Sequence, residues 1–187
     1  MQRYLTAAFA GLLAGQTAAL PADDERQSVR EWDTLVTGLG YDYELYRIEN
    51  ADNWILSLFR ITGKIGEESK VNPEKSPILL QHSAMMDAEM WLDAQPDDYK
   101  PIPMQLVDAG YDVWMANSRG TKYSKENSSY QYAENPAFIT QYVVQNKQKY
   151  DYSFFDQGMV DLPAFMDYVH LVTAKKMTYV GYGEGTT

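Results

Sequence analysis

Met177-Thr178-Tyr179-Val180-Gly181-Tyr182-Gly183-Glu184-Gly185-Thr186-Thr187 decides how this 187-residue chain is read. A short apolar run, Tyr179 and Val180, enters glycines at alternate positions, 181, 183 and 185. That is the layout of a strand running into the sharp turn called a nucleophile elbow, G-x-S-x-G, where flanking glycines permit the reversal and the central serine is pushed out above a sheet. The central residue here is Gly183, so the position built for an attacking hydroxyl carries none. A phosphate or dinucleotide loop fits the same glycines poorly, because the required G-x-x-G spacing is missing.

Upstream, Tyr41 to Ile48 and Trp54 to Ile61 alternate large apolar and polar residues on either side of Asn50-Ala51-Asp52-Asn53, which predicts a β-hairpin. Thr62 to Ser76 reads as an exposed connection, and Pro77 to Leu80 as a buried parallel strand that has no need to alternate. Pro103 to Ala109 predicts a helix closed by Gly110, and Tyr111 to Ala116 the strand after it. Asn117 to Gln131 is polar and reads as a loop over the sheet, while Asn135 to Tyr152 holds only a partial helical stripe. Leu162, Phe165, Met166, Val169 and Val172 fall at helical spacing within Asp156 to Lys175, and this helix delivers the chain to the last strand. Hairpin, strand, helix, strand, helix, strand is the order of an α/β sheet. Met85, Met86, Met90 and Trp91 cluster between the strands; core packing or the lining of a hydrophobic pocket would each use them.

Composition narrows the partners. A formal net charge of -10, with Arg3 the only charged residue among positions 1–22, makes the rest of the chain acidic and excludes a phosphate-backbone partner, so no nucleic acid is expected. There are no cysteines, hence no disulfide framework or thiolate metal site, and no cofactor or metal is expected. Residues 1–22 combine Arg3, an apolar stretch from Tyr4 to Ala14 and small residues at Thr17, Ala18 and Ala19, the layout of a secretory signal peptide. The apolar part falls short of the roughly 20 residues of a membrane span. Two units follow: a signal-like or membrane- or partner-contacting segment at 1–22, and one domain at 23–187. Cleavage of the first implies a secretory or lysosomal protein. Its retention implies a membrane-associated or organellar complex, a mitochondrial one included.

Several motifs in order resemble one family. Tyr43-Glu44 and the strand Trp54 to Ile61, Gln81-His82-Ser83 leading to Trp91-Leu92, Gly110-Tyr111-Asp112-Val113-Trp114, Asn117-Ser118-Arg119-Gly120, Tyr152-Ser153-Phe154, Asp161-Leu162-Pro163-Ala164, and Tyr179-Val180-Gly181 with Gly185-Thr186-Thr187 together look like the gastric and lysosomal acid lipases. The resemblance implies the N-terminal half of an α/β-hydrolase: a hairpin, then a mostly parallel sheet with flanking helices, cut off after the elbow strand. It also implies a serine at position 183, an oxyanion hole built from the backbone N–H groups of Ala84 and Glu184, and a later aspartate and histidine. His82-Ser83 stands where the family has His-Gly, and Tyr182 and Glu184 flank the apex in place of His and Gln. A carboxylate at 184 would oppose the negative charge such a hole stabilises.

No catalytic residue is therefore expected among Gly181, Tyr182, Gly183, Glu184, Gly185, His82, Ser83 and Ala84, which read as a vestigial elbow and oxyanion turn. Of the two histidines, His82 is expected to hold its loop and His170 to lie on a helix surface. Losing the serine alone costs on the order of 10⁶ in rate in an otherwise intact triad enzyme. Three functions follow. One is a catalytically inactive acid-lipase-like subunit with a structural role in a larger assembly, another chain completing its sheet edge. Another is a fragment or variant of a triacylglycerol or sterol ester hydrolase. The third is a non-catalytic module that binds lipid or membrane.

Overall fold

The computed structural model describes residues 23–93, 99–129 and 150–186. The signal-like segment at 1–22, the loop signal Gln95 to Asp98 and the weak helical stripe up to residue 149 lie outside them. The first described element is a helix that the sequence reading lacks, α1 at Asp23–Gly38. Its Val29, Trp32 and Val36 are buried at helical spacing, and the Trp32 ring stacks on Phe59 with centroids 4.0 Å apart. The hairpin follows as expected, β1 at Tyr41–Glu49 and β2 at Trp54–Lys64, antiparallel from Tyr41↔Lys64 to Glu49↔Ile55. Asn50 closes its turn: Oδ1 accepts the N–H of both Asp52 and Trp54 at 3.0 Å.

Next come β3 (Ile78–Gln81), α2 (Ile102–Asp108), β4 (Val113–Asn117), the short β5 (Glu126–Asn127), α3 (Leu162–Thr173) and β6 (Thr178–Gly181). The strand order is β1-β2-β4-β3-β6, with β5 against β2. β3 pairs in parallel with both β4 and β6, and the pairings of β2 are antiparallel. The parallel part of the sheet is thus the part that carries the elbow.

Side-chain parity explains the layering. Phe59 and Ile61, Ile78 and Leu80, and Val113 and Met115 face one side, where they pack with α1 and with Met104 and Val107 of α2. Leu56 and Leu58, Leu79, and Trp114 and Ala116 face the other and meet Phe165 and Val169 of α3. Every residue of β3 and β4 is buried because both faces are covered, which is why neither strand alternates in sequence. On α3 only Phe165 and Val169 of the expected stripe are fully buried; Met166 and Val172 are exposed. The helix ends at Ala174, which sits in the left-handed region at φ 53.

Before α3 the chain makes a helical turn at Phe154–Asp156, capped reciprocally by Ser153 and Asp156, and then widens into a π-helical turn at Gln157–Asp161. Asp161, at the end of that turn, is fully buried. It accepts the backbone N–H and Nε–H of Arg119, each at 2.9 Å, and the Asn50 amide at 2.6 Å. Arg119 Nη2 lies 2.8 Å from the same carboxylate as an ion-pair contact without hydrogen-bond alignment, and Nη1 reaches Asp52 at 2.8 Å. This cluster pins the loop after β4 to the π-helical turn and to the hairpin turn. Burial pushes the Asp161 carboxyl upward in pKa while the Arg119 hydrogen bonds hold against it.

Candidate functional site

The carboxyl ends of β3, β4 and β6 meet at one rim of the sheet, where α/β folds place their ligands. Asn117 and Ser118 knit this rim together. Asn117 Nδ2 donates to Ser57 O at 3.2 Å, and its Oδ1 accepts Ala88 N–H at 2.9 Å. Ser118 N–H donates to His82 Nε2 at 3.1 Å, and Ser118 Oγ accepts from Gln81 Nε2 at 3.0 Å. His82 is buried and its Nδ1 lies 2.7 Å from Ser83 O, so Nδ1 carries the proton and Nε2 accepts. Burial lowers its pKa and keeps the ring neutral. Both ring nitrogens of His82 are thus engaged by the loops on either side. His170 lies exposed near the end of α3, its Nδ1 2.9 Å from Lys175 O.

The turn after β6 is closed by backbone contacts. Tyr182 N–H donates to Gln81 O at 3.1 Å and Gly185 N–H to Tyr182 O at 2.9 Å, while the Tyr179 hydroxyl donates to Gly185 O. The turn is tight enough to demand two of its glycines. A Cβ on Gly181 would lie 2.1 Å from Gly185 O, and one on Gly185 would lie 2.7 Å from His82 O and 2.9 Å from Gln81 O. At the apex, Gly183 has φ +54, the strained region an elbow imposes on its central residue. A Cβ there would lie 2.3 Å from Ser83 Oγ and 3.0 Å from Ser83 Cβ. Ser83 Oγ in turn accepts the N–H of Glu184 at 3.3 Å.

A cleft of about 40 Å³ opens beside these groups, lined by Ser83, Ala84, Phe154, Gln157, Leu162 and Glu184 among others. That space holds a few waters, not an acyl chain. Phe154, one of the lining residues, is itself 58% exposed, and Phe155 and Met159 on the same helical segment are exposed too. Met85, Met86, Met90 and Trp91, for which the sequence leaves core packing and a hydrophobic pocket both open, do not line this cleft. Met85 stands exposed on a left-handed turn, φ 58, and Trp91 packs on the core beneath α1 and α2. Among the described residues no group of three or more His, Cys, Asp or Glu could hold a metal ion, and no described helix is long and apolar enough to cross a membrane. Phe154, Gln157 and Leu162 as cleft residues were not legible beforehand, because the π-helical turn that carries Gln157 and separates the other two has no sequence signature. Ser83 did have one: it stands where the resembled family has glycine.

The chain is similar to several known proteins. The family model described as a partial α/β-hydrolase lipase region matches residues 33–95, from within α1 to past Trp91. Gastric triacylglycerol lipase of Mus musculus is 33% identical over 155 residues, 82% of this chain and 35% of that protein. The chain carries a partial acid lipase-like α/β-hydrolase region. A protein of Crotalus adamanteus described as a lysosomal acid lipase/cholesteryl ester hydrolase is 33% identical over 150 residues, 79% of this acid lipase-like chain and 34% of that one. Triacylglycerol lipase 2 of Arabidopsis thaliana is 32% identical over 148 residues, 79% and 32% respectively. The chain thus spans about a third of the length of the curated relatives it matches. Among solved structures, an esterase of Pyrococcus furiosus aligns over 80% of this chain and 43% of its own, with 15% identity and a TM-score of 0.45.

Proposed function

We propose that this chain belongs to a lipid ester hydrolase-family protein that does not hydrolyse through its elbow and acts instead by holding a lipid. One observation carries the reading: the apex of the glycine turn after β6 is Gly183, with no oxygen to attack an ester. The exposed Phe154 at the cleft, with the exposed Phe155 and Met159 of the same helical segment, supplies apolar surface for an acyl chain that the cleft is too small to enclose. The triacylglycerols and cholesteryl esters named for its relatives set the expected ligand class. Relatives named as gastric and lysosomal proteins favour the secretory or lysosomal compartment.

The test uses the full-length protein that contains this chain. Turnover of triolein and cholesteryl oleate should stay at the background of the uncatalysed reaction, and solvent extraction of the native protein should yield bound neutral lipid. Hydrolysis that a serine-directed phosphonate abolishes would refute the reading. A second reading, a structural subunit of a larger membrane-associated or organellar assembly, draws on β6, which among the described residues pairs only with β3 and leaves Val180 exposed. Co-purification of a stoichiometric partner with no bound lipid would favour it.

A further inference from the structure

We infer that Ser83 and Gly183 form an interlocked pair, in which the Ser83 hydroxyl fills the space vacated at the elbow apex and occupies the anion-binding N–H beside it. The inference deepens the non-hydrolysing reading and rests on it. Two contacts meet at one oxygen. Ser83 Oγ lies 2.3 Å from where a Cβ on residue 183 would stand, and it accepts the Glu184 N–H at 3.3 Å. That N–H follows the apex residue, the position from which an elbow stabilises an oxyanion. A rotation about χ1 would move Oγ away but would leave Ser83 Cβ, at 3.0 Å, against any new side chain.

Nor can the backbone at 83 retreat freely. Its carbonyl is held by His82 Nδ1 at 2.7 Å, and the same ring is held from the other side by Ser118 N–H at 3.1 Å. The buried imidazole therefore clamps the loop that places Ser83 against the apex. The site has two defects and not one. A serine returned to position 183 meets a hydroxyl already there, and the N–H it would rely on is already taken. The glycine expected at position 83 from the family resemblance is the residue that would leave both free.

The experiment is a double-mutant cycle in the full-length protein: Gly183→Ser, Ser83→Gly and the two combined, each followed by thermal unfolding. Gly183→Ser alone is expected to lower the melting temperature by about 5 °C or more through overpacking and positive-φ strain. Adding Ser83→Gly is expected to return at least half of that loss, the φ strain remaining. Additive shifts, or a Gly183→Ser variant as stable as the parent, would overturn the interlock. If Gly183→Ser fails to accumulate as folded protein, the combined variant must still fold, and an unfolded one overturns the inference. Treating the unmutated protein with a fluorophosphonate and mapping any adduct by peptide mass separates the two proposals. An adduct on Ser83 makes it a nucleophile and sinks both. An adduct elsewhere sinks only the non-hydrolysing reading, with the interlock still decided by the melting cycle.

Discussion

Replacing Asp161 by Asn should destabilise the domain by about 3 kcal/mol, and by Leu by about 4–5 kcal/mol, although neither residue would touch a ligand. The figure comes from what surrounds the carboxylate. It is fully buried and meets the Arg119 N–H and Nε–H at 2.9 Å, the Arg119 Nη2 at 2.8 Å and the Asn50 amide at 2.6 Å. Removing the charge strands a guanidinium whose side chain is 3% exposed, leaving Asp52, whose own side chain is 45% exposed, as its one carboxylate partner among the described residues. Breaking a buried pair from one side costs about 3–5 kcal/mol, and Asn keeps one acceptor oxygen, hence the lower end. For a domain of this size that is a fall in melting temperature of roughly 6–12 °C, readable by circular dichroism. The combined Asp161→Leu, Arg119→Met variant should recover much of the loss, because two apolar residues can replace a buried pair at little cost. A fall of under about 2 °C for Asp161→Asn would refute the view that this cluster holds the cleft wall in place.

Three further outcomes follow from the same geometry. His82 has a pKa lowered by burial from its usual 6.5, so its share of stability is complete above that pH and is lost as pH falls toward its folded-state pKa; Asp87 is the charged group acting against the shift. Between about pH 7 and pH 5 the parent should therefore lose more melting temperature than His82→Gln, and equal losses would contradict it. Gly185→Ala should cost about 3 kcal/mol or more in chemical denaturation, since its Cβ would meet two backbone oxygens, at 2.7 and 2.9 Å, that cannot swing aside. Trp32→Ala should cost about 3–5 kcal/mol by the same measurement, because the ring is fully buried against Phe59; a loss below about 1 kcal/mol would mean α1 is dispensable to the core.

Much of the sheet could be read in advance because hydrophobic periodicity is a local signal. The hairpin announces itself by alternation, and the unbroken apolar runs at Ile78 to Leu80 and Val113 to Ala116 mark strands covered on both faces. The first helix escaped notice although Val29, Trp32 and Val36 carry its spacing, since charged and polar residues surround them in sequence and dilute the stripe. The π-helical turn is a tertiary product: it takes its shape from Asp161 reaching Arg119, 42 positions earlier. The elbow divides along the same line. Its glycines and missing serine are visible in one stretch, whereas the contact of Ser83 with residue 183 spans 100 positions and exists only once β3 and β6 lie side by side.

The strict division of β3 and β4 between two cores makes these strands act as rulers. Val113 and Met115 are claimed by one layer and Trp114 and Ala116 by the other, so the strand cannot slide by a single residue without sending a tryptophan where a valine belongs. The height at which Asn117 and Ser118 emerge is thereby fixed from far below, by aliphatic packing. Swapping residues at the rim rewrites its chemistry, while deleting one from either strand moves the whole rim out of alignment.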